Sequence, residues 1–423
     1  MIVEADLLIH SAAQVVTCAS DVPKRGAAMQ DVGLISDGAV VVNDGRILAI
    51  GPTESIRERY SAGQTINASG KVVCPGFVDP HTHVVYAGDR IDEFEQRIRG
   101  ATYMEIMAAG GGIVSTMHAT RNASVEELVE ATLPRLAQML RLGTITAEVK
   151  TGYGLDLDSE LKMLEAIAAL DLAQPIDLVP TFMPAHAVPP EFNGRSAAYV
   201  EWVINEMIPA AAEWYKNSHF VADGRPLFCD VFCEQNAFDL EQSRRVLAAG
   251  LEHGLPAKIH ADEFTSLGGV ELAVDLGATS VDHLDVTTAE DIALLADSDV
   301  VGIVLPAVNF NLGSNEFADA RALVDAGVAV ALSTDINPGS APCPSQPLVL
   351  ALATRYQRLL PAEAFNAATI NAAYGVGLAD RVGSLSPGKQ ADLLLLNCTD
   401  FRQVTYQFGG NLVEMVVKNG RIL

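Results

Sequence analysis

The sequence predicts an α/β fold: a (β/α)8 TIM barrel with a small β domain formed from both chain termini. Three observations carry that expectation. Eight short apolar or β-branched runs alternate with helix-periodic segments between residues 75 and 335, the two chain ends share one strand–turn–strand chemistry, and histidine or acidic residues recur where the runs end. At 423 residues the chain is about three times the ~150 residues of an average domain, so core volume is not limiting for a large barrel with additions.

The eight predicted strands are residues 76–81, 144–149, 176–182, 227–234, 257–260, 278–283, 300–305 and 328–335. Helix starts between them are marked by Ser124-x-x-Glu127, a capping box, and by Asp239-x-x-Gln242, which resembles one. Gly38 to Gly51 alternates around Asp44-Gly45 as a β-hairpin does, and Val416 to Leu423 repeats that chemistry around Asn419-Gly420. Ala391 to Leu396 reads as a further strand after the turn Ser386 to Lys389. These features predict a composite β domain of residues 1–74 plus 380–423, with a barrel of residues 75–379 inserted between its halves. The longest stretch without a predicted strand is 84–123, with a helical Tyr103–Met107 and a flexible Gly110–Gly112; loops of that length are usually functional, so a lid is expected there.

Charge narrows the partners. With 28 basic against 53 acidic residues the formal charge is −25, a field that repels phosphate backbones and anionic membranes. The densest basic group, Arg90, Arg97 and Arg99, is neutralised by Asp89, Asp92, Glu93 and Glu95. No stretch reaches the ~18 apolar residues of a membrane span, and the acidic N-terminus lacks the basic region of a signal peptide. A soluble, cytoplasmic protein is expected, acting on a small molecule and not on nucleic acid or membranes, with a homodimer as the assembly considered. Six dispersed cysteines fit buried thiols in a reducing compartment.

The strongest local chemistry is Asp79-Pro-His81-Thr-His83, where two imidazoles two residues apart at a strand end point to one face. A lone His-x-His is common by chance. Here His260 ends the fifth predicted strand, His283 the sixth and Asp335 the eighth, at the end of the barrel where active sites are built. Imidazole and carboxylate together suit Zn²⁺ or Fe, and three histidines with one aspartate leave room for water.

Pro75 to His83, with His260, His283 and Asp335, resembles the amidohydrolase superfamily, and Gly383 to Asp392 is similar to its returning β strand. Strand four, Leu227 to Glu234, lacks the metal-bridging lysine of many binuclear members, and Lys150 at the end of strand two reads as a structural lysine. The resemblance therefore implies a mononuclear site, one Zn²⁺ or Fe ion per chain, held by His81, His83, His260 and Asp335. Further blocks resemble the imidazolonepropionase family: Ala87 to Arg90, Gly100 to Met107, Lys150 to Gly154, Ala185 to Pro190, His260 to Glu263 and Asp335 to Gly339. Carried over position by position, they assign Arg90, Tyr153, His186, Glu263, Asn337, Gly339 and Ser340 to the substrate or product site. Where many relatives have Thr-Ser after Asn-Pro-Gly, this chain has Ser340-Ala341, keeping the hydroxyl at the first position.

Each assignment has a competing structural reading. Arg90 offers a fork suited to a carboxylate, or a surface ion pair with Asp89 or Asp92; Tyr153 is a ligand hydroxyl or a stacked loop residue; Glu263 reaches the site or solvent. The implied reaction is metal-dependent ring opening of 4-imidazolone-5-propanoate to N-formimino-L-glutamate in histidine catabolism, with Asp335 or Glu263 as the base and His186 and His283 steadying the oxyanion. An aminohydrolase acting on a cytosine- or guanine-like base is the enzymatic alternative, and a non-catalytic barrel scaffold the alternative of another class.

Overall fold

Apolar alternation at the two ends of the chain builds a single sheet. The computed structural model of the chain describes residues 2–101 and 111–423. The N-terminal strands are β1 (Val3–Val16), β2 (Leu34–Asn43), β3 (Arg46–Pro52), β4 (Tyr60–Asn67) and β5 (Val72–Pro75). Eight strands follow: β6 (Phe77–Asp79), β7 (Thr144–Lys150), β8 (Asp177–Ala185), β9 (Phe228–Cys233), β10 (Lys258–Ala261), β11 (Ser280–His283), β12 (Val301–Val304) and β13 (Ala329–Leu332). The chain then returns as β14 (Leu393–Leu396), β15 (Val413–Lys418) and β16 (Arg421–Ile422).

The terminal strands pair in the order β16-β15-β14-β5-β1-β2-β3, with β4 also beside β1. Both expected hairpin turns have two successive left-handed residues, Asp44 (φ 49°) and Gly45 (φ 72°), then Asn419 (φ 48°) and Gly420 (φ 74°), the geometry that matches the twist of the flanking strands. The four leucines of β14 are consecutive because the strand is buried on both faces: Leu393 and Leu395 join Val40 and Val417 in the sheet's own core, while Leu394 and Leu396 join Phe77 in the barrel core. Cys18, Met29 and Val32, which lie in the N-terminal half of the predicted β domain, also contribute to the barrel core.

The other eight strands form one parallel sheet in chain order from β6 to β13, matching the predicted runs. Both capping boxes, Ser124 with Glu127 and Asp239 with Gln242, are formed. Two predicted strands end early for local reasons. Pro80 has no N–H to extend β6, and β13 stops at Leu332 because Asp335 takes a left-handed backbone (φ 48°) that turns it inward. Within 84–123 the described residues form helices Ile91–Ile98 and Ile113–Asn122; the expected helix Tyr103–Met107 and Gly110 lie outside the described residues. All six cysteines are free, five of them buried, and no helix among the described residues is long and apolar enough to cross a membrane.

Where β6 meets β13, side chains take over from the ladder. The buried Asp79 carboxylate accepts from the Thr334 N–H (3.0 Å), the Thr334 hydroxyl (2.6 Å) and the Ser333 hydroxyl. Asp335 N–H donates to the His81 carbonyl (3.1 Å), and His83 N–H to that of Ile336 (3.0 Å). Burial pushes the Asp79 carboxyl up to about 6, against the opposing hydrogen bonds from Ser333 and Thr334. Asp79→Ala would orphan these buried donors at about 1–3 kcal/mol each. A drop of that order in unfolding free energy, read from the denaturant midpoint, is expected, with Asp79→Asn losing less.

Candidate active site

Beneath the strand ends lies a layer of charge. Glu148 and Lys150 on β7, Asp230 on β9, Lys258 on β10 and Asp282 on β11 are all fully buried, and ions in such a medium persist only when paired. Residues 148 and 150 share one face because side chains two apart on a strand point the same way. Lys150 Nζ lies 2.9 Å from Glu148, 2.7 Å from Asp230 and 3.5 Å from Asp282, and Lys258 Nζ lies 3.0 Å from Glu148. Although burial opposes it, Asp230, Glu148 and Asp282 hold the Lys150 ammonium above its ordinary range. Lys150 thus has the structural position expected of it.

The same carboxylates orient two histidines. Asp282 Oδ2 is 2.6 Å from His81 Nδ1, so that imidazole carries its Nδ1 proton toward the charge layer and presents Nε2 to the pocket, and Asp230 Oδ2 faces His260 Nδ1 at 3.1 Å. Asp230 and Asp282 were not among the residues singled out from sequence. Their signal was an acid at an inward-facing position of an otherwise apolar barrel strand.

Above this layer the candidate ligands converge. His83 Nε2 and His260 Nε2 are 3.3 Å apart, and Asp335 Oδ1 lies 3.6 Å from His81 Nε2 and 3.9 Å from His83 Nε2. Donors held at ~2.1 Å by a tetrahedral ion stand about 3.4 Å apart, so this spacing fits one. His81 Nε2 and Asp335 Oδ1 are buried without a hydrogen-bond partner, as donor atoms reserved for a cation would be. Burial lowers the basicity of His81 and His83 well below the usual imidazole range, leaving both neutral. His283 also lies within reach of His81 and Asp335, with its Nε2 facing Glu263 Oε2 at 3.6 Å and its Nδ1 facing Asp285 at 3.9 Å. Glu263 is 11% exposed at its side chain, so it belongs to the pocket and not to solvent.

Around the donors stand the other predicted residues. Tyr153 is buried, its ring 5.8 Å from that of His83 and 5.5 Å from that of His186. His186 stacks on His83 at 4.7 Å, and its Nδ1 meets the Gly152 carbonyl at 3.0 Å. A carbonyl only accepts, so Nδ1 carries the proton; burial, with charge at His260, brings the imidazole down to about 3. In that tautomer the neutral ring leaves Nε2 as a hydrogen-bond acceptor toward the pocket.

Arg90 is half-buried, gives Nε–H to Thr116 Oγ1 (2.9 Å), and forms no ion pair with Asp89, Asp92 or any other described residue. A Cβ on Gly339 would collide with its guanidinium. The Asn337 side chain bonds within its own turn. Its Oδ1 accepts from Gly339 N (2.8 Å) and Ser340 N (2.7 Å), while Nδ2 donates to the Asp335 carbonyl (2.7 Å) and to Ser340 Oγ (2.9 Å). Arg97, not predicted for the site, donates to the Gly339 carbonyl at 3.0 Å.

An eight-stranded parallel barrel with histidine and aspartate donors gathered at its strand ends defines an amidohydrolase, and the amidohydrolase family profile matches residues 100–423. A profile for the imidazolonepropionase-like composite domain of bacteria matches residues 38–60. Similar curated proteins include the imidazolonepropionases of Chloroflexus aggregans, 58% identical over 99% of this chain and 98% of that one, and of Herpetosiphon aurantiacus, 51% identical over 99% and 97%. The chain belongs to the imidazolonepropionase family. Solved structures share its fold at lower identity: an adenosine deaminase from Xanthomonas campestris with bound zinc (TM-score 0.72, 20% identity, 100% of this chain and 93% of that one) and Escherichia coli guanine deaminase (TM-score 0.72, 18%, 98% of each).

His260 groups with His81 and His83, and His283 with His81 and Asp335, so metal content tells the two apart. His260→Ala is expected to lose most bound metal, measured by elemental analysis, whereas His283→Ala keeps metal content nearly intact and lowers turnover. Equal metal loss in both would make His283 a ligand.

Proposed function

We propose that this chain opens the ring of 4-imidazolone-5-propanoate by hydrolysis, giving N-formimino-L-glutamate in histidine catabolism. The observation that carries this reading is the Arg90 guanidinium, without an acidic partner among the described residues and close enough to Tyr153 and His186 to act on both, with the candidate donors His81, His83, His260 and Asp335 gathered next to those rings. The imidazolonepropionases that align with nearly the whole chain support it.

In this reading those four residues hold one Zn²⁺ or Fe ion per chain. Bound there, such an ion supplies Lewis acidity, lowering the pKa of water from ~15.7 to about 7. Arg90 pairs with the propionate carboxylate, and its fork fixes that arm in a plane. Tyr153 packs against the ring, and neutral His186 accepts from a ring N–H through Nε2. Water adds across the ring amide: a C–O bond forms, the C–N bond breaks, and the nitrogen leaves with a proton. Asp335 and Glu263 are the acids placed to carry that proton, and burial raises the Glu263 carboxyl well above its usual range. His283 steadies the developing oxyanion, a contribution whose loss typically costs ~10²- to 10³-fold in rate. The buried free thiols favour a reducing compartment, the cytoplasm.

Purified protein is expected to consume the imidazolone absorbance without releasing ammonia; ammonia release would instead establish a deaminase, and no turnover a scaffold. Removing metal with a chelator should abolish activity. Arg90→Ala should lower kcat/KM by roughly 10- to 150-fold, the worth of one charge-assisted pair, yet hardly worsen an imidazolone lacking the propionate arm. Equal losses on both substrates would move Arg90 from carboxylate anchor to loop support.

A further inference from the structure

We propose that Glu160, which does not face the substrate, is a positioning residue for the reaction: its carboxylate shapes the loop Gly152–Leu155 and, through Gly152, orients His186. Glu160 lies in the first turn of the helix Leu157–Ala173, fully buried. Its Oε1 accepts from the N–H groups of Gly152 (3.1 Å), Gly154 (2.8 Å) and Leu155 (2.8 Å), and its Oε2 lies 3.0 Å from that of Gly152. No cation pairs with it among the described residues. A buried carboxylate without a counter-ion is costly, and here the amides of Gly152, Gly154 and Leu155 help to satisfy it, wrapping the loop around it.

The loop is shaped by that contact on both sides. A Cβ at Gly154 would stand 2.6 Å from Glu160 N, so only glycine lets the backbone lie this close to the helix. Leu155 is held left-handed (φ 55°), a conformation costly for a side chain of its kind, and Tyr199 Oη donates to its carbonyl at 3.2 Å. On the far side the Gly152 carbonyl takes the His186 Nδ1 proton, and a Cβ at Gly152 would lie 2.8 Å from that nitrogen. One carboxylate therefore sets the place of Tyr153, the place of His186 and the ring nitrogen that His186 leaves free. Neither Tyr153 nor His186 has a side-chain bond to Glu160; the backbone between them transmits the constraint.

This inference rests on Tyr153 and His186 meeting the substrate, and the experiment separates it from that reading. Kinetics on 4-imidazolone-5-propanoate are measured for the metal-loaded wild type, Glu160→Gln, the pair His186→Ala with Tyr153→Phe, and all three substitutions together. Misplacement by about 1 Å costs on the order of 10²-fold, so Glu160→Gln should lower kcat/KM by about that factor with metal content unchanged. In the background lacking both partners it should add less than about 3-fold, because a residue that acts through others is non-additive with them. Should Glu160→Gln not be recovered folded, Glu160→Asp enters the same cycle, keeping the charge but drawing it back from the loop. Full additivity, or kinetics unchanged by the substitution, overturns the positioning role. Failure of the wild type to turn over this substrate would overturn the functional reading itself.

Discussion

Everything at the mouth of the barrel depends on how its interior carries charge. Two ammonium groups and three carboxylates occupy the layer below the strand ends, where apolar side chains would ordinarily fill a barrel of this kind. Such a layer is stable only as a set: Lys150 touches acids from three strands, so removing any member strands the others in a medium that does not tolerate lone charge. Its return is orientation. Two of its acids hold the Nδ1 sides of His81 and His260, and the pocket receives imidazoles already turned to bind.

Most of this architecture was legible in the amino-acid sequence for definite reasons. The eight barrel strands are short apolar runs bounded by turn residues and helix caps, and the candidate ligand histidines fall at the ends of two of them, with His283 at the end of a third. Two Gly-containing turns announced the hairpins at opposite ends of the chain. The charge layer was harder to see, because Glu148, Asp230, Asp282 and Lys258 are separate single residues whose partnership exists only once the strands are side by side. Asn337 was legible only as part of a motif; that its side chain braces the turn that carries Asp335 needed the folded loop.

Part of the backbone strain lies where the chemistry is. Asp262, His283, Leu284 and Asp335 are all left-handed without being glycine, and each follows or ends a barrel strand. Extended strands deliver side chains alternately to the interior and to the surrounding helices. A left-handed residue at the strand end breaks that alternation, and beyond it Asp285 turns to face His283 Nδ1 at 3.9 Å. Val286 N–H donates to the Asp262 carbonyl at 3.0 Å and Leu284 N–H to that of Ala261 at 3.3 Å, which braces the sixth loop against the fifth.

The seam between β6 and β13 also has a temporal meaning. His81 and His83 emerge early in synthesis and Asp335 late, and the bonds that bring them together are those that close the barrel, from Asp79 to Thr334 and from Asp335 to the His81 carbonyl. A nascent chain that has reached only the sixth strand holds the imidazoles but not the carboxylate, nor the wall that keeps water from them. The complete donor set therefore comes into being only with ring closure.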